Sequence, residues 1–161
     1  MKNATRLAVF TALLSSLAHA SIEALPAVYS PMYVVESKRI GMSGTPGELD
    51  VNSVVAITLN GERTEMTLDY VKDNEDRRVV LDIYSISEDA CGSVTFSAKY
   101  SDEIYRRTGA RYSVLLTDHT TQTCVGGNRR WLWEANVHSG YGWCGTGDSQ
   151  AMLVGAEICL R

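Results

Sequence analysis

Apolar side chains in this chain recur at every second position. Met66, Leu68 and Tyr70 alternate with Thr67 and Asp69, and Val79, Leu81 and Ile83 alternate with Val80 and Asp82. Val94, Phe96, Ala98 and Tyr100 alternate in the same way with Thr95, Ser97 and Lys99. Successive side chains of a strand project to opposite faces, so each run is apolar on one side and wet on the other. The runs are rich in Val, Ile, Thr and Tyr, which suit a pleated surface. Strands are expected near 53–59, 63–71, 78–87 and 93–100 as a meander of neighbours, with further ones near 28–36, 111–118, 130–138 and 150–159.

Turn residues separate these runs. Asn60-Gly61 is the strongest hairpin signal, because a two-residue type I′ turn needs positive φ at both central positions. Asp73-Asn74-Glu75-Asp76 is a polar turn, and Cys91-Gly92 marks another corner. Residues 37–50, with Gly41, Gly44, Pro46 and Gly47, read as a loop. Helical signal is confined to 101–107, where a loop with a short helical turn is expected, Ser101 capping it and Gly109 stopping it. The expected fold class is all-β: a single antiparallel β-sandwich or small barrel of about eight strands, meander-rich, with two disulfides.

The first twenty residues have a different character. Lys2 and Arg6 form a basic head, Leu7 to Leu17 is an apolar run, and Ala18-His19-Ala20 is a small-x-small cleavage site. That layout is a secretory signal peptide, and the apolar run is too short to span a bilayer. The domain reading is therefore 1–20 signal peptide and 21–161 a single exported β domain. The short head and compact apolar run fit a bacterial export signal, hence a periplasmic or secreted product. The leader carries two of the fifteen basic residues and none of the nineteen acidic ones, so its removal takes the net charge from −4 to −6. That balance argues against nucleic acid or an anionic membrane as partner. No second apolar stretch approaches membrane-spanning length.

Cys91, Cys124, Cys144 and Cys159 all follow the leader, and in an oxidising compartment an even number reads as two disulfides. Strand logic leans to Cys124–Cys144 and Cys91–Cys159. A metal site is not expected, because no Cys-x-x-Cys is present and no His lies at ligand spacing. No cofactor is expected either.

The string Cys144-Gly145-Thr146-Gly147-Asp148-Ser149 resembles the segment around the nucleophile of chymotrypsin-like serine proteases. The likeness covers about ten residues. Gln150-Ala151 stand where that family has two glycines, and one domain of this size lacks the two barrels the mechanism uses. The segment reads as a glycine-rich loop. Asp118-His119 resembles a base with its orienter, but adjacent strand residues face opposite ways, which makes it hard for Asp118 to orient His119. His138 falls on the wet face of its strand, opposite Trp131, Trp133, Ala135 and Val137.

The remaining signal is aromatic. Trp131, Trp133, Tyr141 and Trp143 fall within thirteen residues, beside Arg129 and Arg130. Trp131 and Trp133 are expected in the core, where each buries a large area. The expected binding residues are Arg129, Arg130, Tyr141, Trp143 and Asp148, on the loops 126–130 and 139–148. The function that follows is non-enzymatic, loop-mediated binding, with a protein such as a hydrolase or toxin favoured as partner. The alternative is a carbohydrate or cell-wall binding module using the loop aromatics, and a hydrolase built on His119 or His138 ranks third.

Overall fold

Period-two runs become strands wherever their apolar faces share one interior, and here they share a single sheet. The computed structural model describes residues 22–40, 53–121, 131–141 and 148–157. Nine strands are present: β1 (Val28–Tyr29), β2 (Tyr33–Ile40), β3 (Val54–Leu59), β4 (Glu65–Lys72), β5 (Glu75–Glu88), β6 (Val94–Lys99), β7 (Ala110–Asp118), β8 (Trp133–Tyr141) and β9 (Asp148–Val154). They form one antiparallel sheet in the order β1-β3-β4-β5-β6-β7-β8-β9-β2. The sheet curls into a half-barrel. From β3 to β9 it is an uninterrupted meander, as the alternation implied. A sandwich needs two packed sheets, so that alternative is replaced by one curled sheet.

Three bulges help to bend it, at Val34/Glu36, Val54/Ala56 and Ile83/Ser85. An extra residue on one strand of a pair kinks that strand and increases its twist. The expected first strand is also divided, into β1 at one edge of the sheet and β2 at the other. Only Ser30-Pro31-Met32 separates them, so the curl brings both edges to that corner. There Leu59 N donates to Ala27 O (2.7 Å), and Met32 N donates to Val154 O (2.9 Å).

The inner face holds the core: Ile57 and Leu59, Met66 and Leu68, Val79 and Leu81, Phe96, Val114 and Leu116, Val137, and Leu153, with their neighbours. Tyr29 reaches across from β1, and its ring packs edge-on against Trp133 with centroids 5.5 Å apart. Trp133 is thus a core residue, as expected. Trp131 is instead half-exposed ahead of β8, bridged to Glu157 and packed on Tyr33.

Local turn chemistry departs from expectation at one hairpin. Asn60-Gly61 is not a two-residue turn. Asn60 Oδ1 accepts from the N–H groups of both Thr64 (2.9 Å) and Glu65 (3.1 Å), which stabilises a longer link. Arg63 takes positive φ there and donates its guanidinium to the carbonyls of Leu25 and Pro26. The tight turn lies at Asp73-Asn74, where both residues have positive φ (55° and 63°) and Lys72 pairs with Glu75. The short helical turn is a seven-residue helix, α1 (Asp102–Thr108). Ser101 Oγ accepts from Ile104 N at its start, and Gly109 (φ 71°) ends it in the left-handed region that glycine tolerates. No helix among the described residues is long and apolar enough to cross a membrane.

Candidate functional site

The outer face of the sheet differs between its two halves. On β4 and β5 it carries charged pairs beside exposed Val71 and Val80: Glu65 stands opposite Asp82, and Asp69 opposite Arg78 with an ion pair at 2.7 Å. On β7, β8 and β9 the central outward positions are Ser113 and Leu115, Asn136 and His138, Gln150 and Met152. None of these six carries a fixed charge. Register aligns them in two rows, Ser97-Leu115-Asn136-Met152 and Lys99-Ser113-His138-Gln150.

These side chains line a groove of about 320 Å³. Tyr84 completes it, at the bulge in β5. Ile83 pairs with Ala98 and Ser85 with Ser97, which leaves Tyr84 as the extra residue. Tyr84 faces outward with Val80 and Asp82, as alternation from inward Ile83 places it, and is 64% exposed; the bulge turns Ser85 to the same face beside it. Lys99 Nζ stands 5.8 Å from the Tyr84 ring centroid and 3.4 Å from Asp102 Oδ1. Leu115 is 44% exposed on the groove floor. Chemically the groove offers an apolar surface from Tyr84, Leu115 and Met152, ringed by two carboxamides, a hydroxyl and an imidazole.

The expected site residues are placed only in part. Arg129, Arg130 and Trp143 lie outside the described residues, and Tyr141 and Asp148 are described in backbone alone. Tyr141 ends β8 opposite Ala110, and Asp148 begins β9. The segment holding Arg129 and Arg130 precedes β8 at its other end. At about 3.3 Å per residue, the two ends of β8 are roughly 26 Å apart. Cys124, Cys144 and Cys159 also lie outside the described residues, and so do both leaning disulfide pairs. Cys91 belongs to the turn before β6, where Asp89 Oδ1 accepts from Cys91 N (2.8 Å) and Ser93 N (2.9 Å).

Comparison with protein-family models, with curated proteins and with solved structures finds no match to this chain. The groove must therefore be interpreted from its own chemistry.

The histidines are held apart. His138 stands opposite Ser113 on the outer face, whereas His119 follows Asp118 with Nδ1 3.1 Å from Ser93 Oγ. Six residues of β7 separate those levels, about 20 Å. Asp118 points inward and is fully buried. Its Oδ1 accepts from Thr120 N (2.7 Å) and Thr120 Oγ1 (2.5 Å). Its Oδ2 and the Tyr29 hydroxyl are buried without a hydrogen-bond partner among the described residues. Burial first, and the nearby Asp118 carboxylate second, push the Tyr29 phenol well above its usual range.

The expected residues and the observed groove meet at one place only. β8 and β9 run through the groove and hold both ends of the expected loop 139–148, whose residues 139–141 and 148 are strand; residues 142–147 lie outside the described residues. Charge-free outward positions on three adjacent strands were available in the sequence as a signal. The outward side of Tyr84 was available too, since it shares the parity of Val80 and Asp82; no local residue pattern announces the bulge that turns Ser85 to the same face.

Proposed function

We propose that the chain is a non-enzymatic exported domain that binds another protein, using the groove between Tyr84 and Met152 as its contact surface. One observation carries this reading: a partly apolar concavity with no fixed charge among its central positions, lined by exposed Tyr84 and Leu115 together with Met152. Exposed Leu115 and Tyr84 lose unfavourable hydration when a partner covers them, and the carboxamides of Asn136 and Gln150 supply directional bonds. Aromatic and Met side chains are enriched where protein partners dock. A partner lying along β8 and β9 is carried toward Tyr141 and Asp148, so Trp143 joins the surface in this proposal. Removal of residues 1–20 and two disulfides belong to the same proposal.

Site-specific photo-crosslinking tests it. A benzophenone side chain at Leu115 is expected to trap a discrete polypeptide in the native host, whereas one at Val80, exposed on the charged half, is not. Equal adduct patterns from both positions, or none from Leu115, would overturn the groove as the binding surface. One observation favours a glycan as second reading: Tyr84 is 64% exposed beside the hydrogen-bonding side chains of Ser113, Asn136, His138 and Gln150. That reading expects saturable shifts in groove amide resonances with peptidoglycan fragments or common polysaccharides, and no polypeptide adduct.

A further inference from the structure

A second groove, of about 280 Å³, adjoins the first and shares Ser113 and His138 with it. Lys99, Asp102 and Arg111 line it. The two grooves are therefore one trough whose ends differ in character: apolar at Leu115 and Met152, charged at Lys99 and Arg111. Leu115, Ser113 and Arg111 are alternate residues of β7 and project to the same face. Four residues of strand put the two ends about 13 Å apart.

The charged end also reverses the sign of the protein. Lys99 and Arg111, with Arg106 and Arg107 in the last turn of α1, outnumber Asp102, Glu103 and Asp82, which stands opposite Lys99, by one, in a chain of net charge −4. The Lys99 ammonium is half-exposed, and its 3.4 Å pairing with Asp102 is loose enough for an incoming carboxylate to compete. Resting on the proposed protein-binding role of this groove, we infer that the trough receives an extended, acidic stretch of the partner's chain. An apolar side chain sits on Leu115 and Met152, and a carboxylate four residues away meets Lys99 and Arg111. A polypeptide fits better than an alkyl carboxylate, because an alkyl chain would cover Asn136 and Gln150 without bonding to them, which is costly. Backbone amides of an extended peptide supply those bonds.

An array of capped heptapeptides decides the matter, with Leu fixed at the second position and Glu, Gln or Lys placed one to five residues after it. Affinity for the full mature chain is expected to peak for Glu at a spacing of four. The advantage over Gln should be about tenfold, the worth of one charge-assisted hydrogen bond. Arg111→Glu and Lys99→Glu should each abolish that advantage while sparing the contribution of Leu, and Met152→Lys should do the reverse. Equal binding of the Glu, Gln and Lys series, or an advantage untouched by Arg111→Glu, overturns the inference. If that occurs while Leu115 still yields its photo-adduct, the binding role stands and only the acidic-peptide assignment falls. Loss of both removes the two together. Binding of a C12 fatty acid with displacement of the peptide would also overturn it.

Discussion

Gly155→Ala should be among the most damaging single-methyl changes in this protein. A Cβ at Gly155 would meet Trp133 Nε1 at 2.1 Å, Cδ1 at 2.5 Å and Cε2 at 2.7 Å. These are atoms of one rigid indole, and comfortable carbon contacts begin near 3.5 Å, so the ring must retreat by more than about 1 Å. The backbone cannot easily yield instead, because Gly155 N donates to Trp133 O at 3.1 Å. The ring itself is confined, being 8% exposed and packed edge-on against Tyr29. Overpacking a core costs about 1–3 kcal/mol, and a disrupted aromatic pair adds about 0.5–1.5 kcal/mol, for a loss near 3 kcal/mol. For a chain of this length the midpoint of thermal unfolding should fall by about 10 °C. Chemical unfolding of the mature protein, followed by tryptophan fluorescence, measures the loss directly. The clash also implies coupling: Gly155→Ala combined with Trp133→Leu should cost at least about 1 kcal/mol less than the two single changes added together. Gly61→Ala is the control, since nothing lies within 4 Å of its Cβ and its φ is not positive. It should be neutral, or stabilising by up to about 1 kcal/mol. A Gly155→Ala protein within about 0.5 kcal/mol of the parent would refute the reasoning, because surface-like tolerance at that position means the indole is not confined.

Three further outcomes are expected. The Tyr29 phenol is raised in the folded state, so the folded protein holds its proton to higher pH than the unfolded chain, and stability is full below the unfolded phenol value near pH 10. Above that value unfolding free energy should fall by about 1.4 kcal/mol per pH unit more steeply than in Tyr29→Phe, and identical slopes would exclude a buried neutral phenol. At the Asp73-Asn74 turn, Asn74→Val should cost about 1–2 kcal/mol, and Asn74→Gly should not destabilise, because the position requires positive φ. Equal stability of the two variants would count against that turn. Finally, exported protein denatured without reductant should leave Cys91, Cys124, Cys144 and Cys159 unalkylated, and reduction should cost about 2–5 kcal/mol, whereas four alkylated thiols would remove the disulfides from the proposal.

How much of this fold a reader of the sequence could obtain depends on whether two-residue periodicity survives the bulges. In β4, β6 and β7 it does, and every inner-face residue from Met66 to Leu116 in those strands falls where alternation puts it. The same parity places Asp118 inside, after Ala110, Tyr112, Val114 and Leu116, although its charge argues for the surface. Its two bonds to Thr120 are what make burial tolerable, and they are local enough to have been legible. In β3 the inward residues are Val54 and Ile57, three apart, because the bulge at Val55 consumes a residue without changing face. The break between β1 and β2 is likewise invisible locally, since it exists only because the sheet curls until its edges meet. The candidate site was legible in the facing of its residues and illegible in their neighbourhood: outward positions on β7, β8 and β9 and at Tyr84 can be counted, whereas the approach of Tyr84 to the β7–β9 floor depends on strand pairing and curl.

The bulge at Tyr84 gives a test of whether this residue serves the groove or the curl of the sheet. Deleting Tyr84 would leave every observed pair of β5 with β6 intact, Ile83 with Ala98, Ser85 with Ser97 and Ile86 with Phe96, so no inner residue would change face. The extra residue therefore does nothing for the core. It interrupts a ladder that would otherwise run on, and it leaves Tyr84 and Ser85 both facing outward. Such a bulge serves either the bend of the sheet or what it presents to solvent, and deletion tells the two apart. The deletion variant should fold, with unfolding free energy within about 1 kcal/mol of the parent, and should lose the photo-adduct at Leu115 and the binding of Leu-containing peptides. If it folds and binds unchanged, Tyr84 is no wall of the site. If it fails to fold, the bulge is required by the curl of the sheet, and its meaning is architectural.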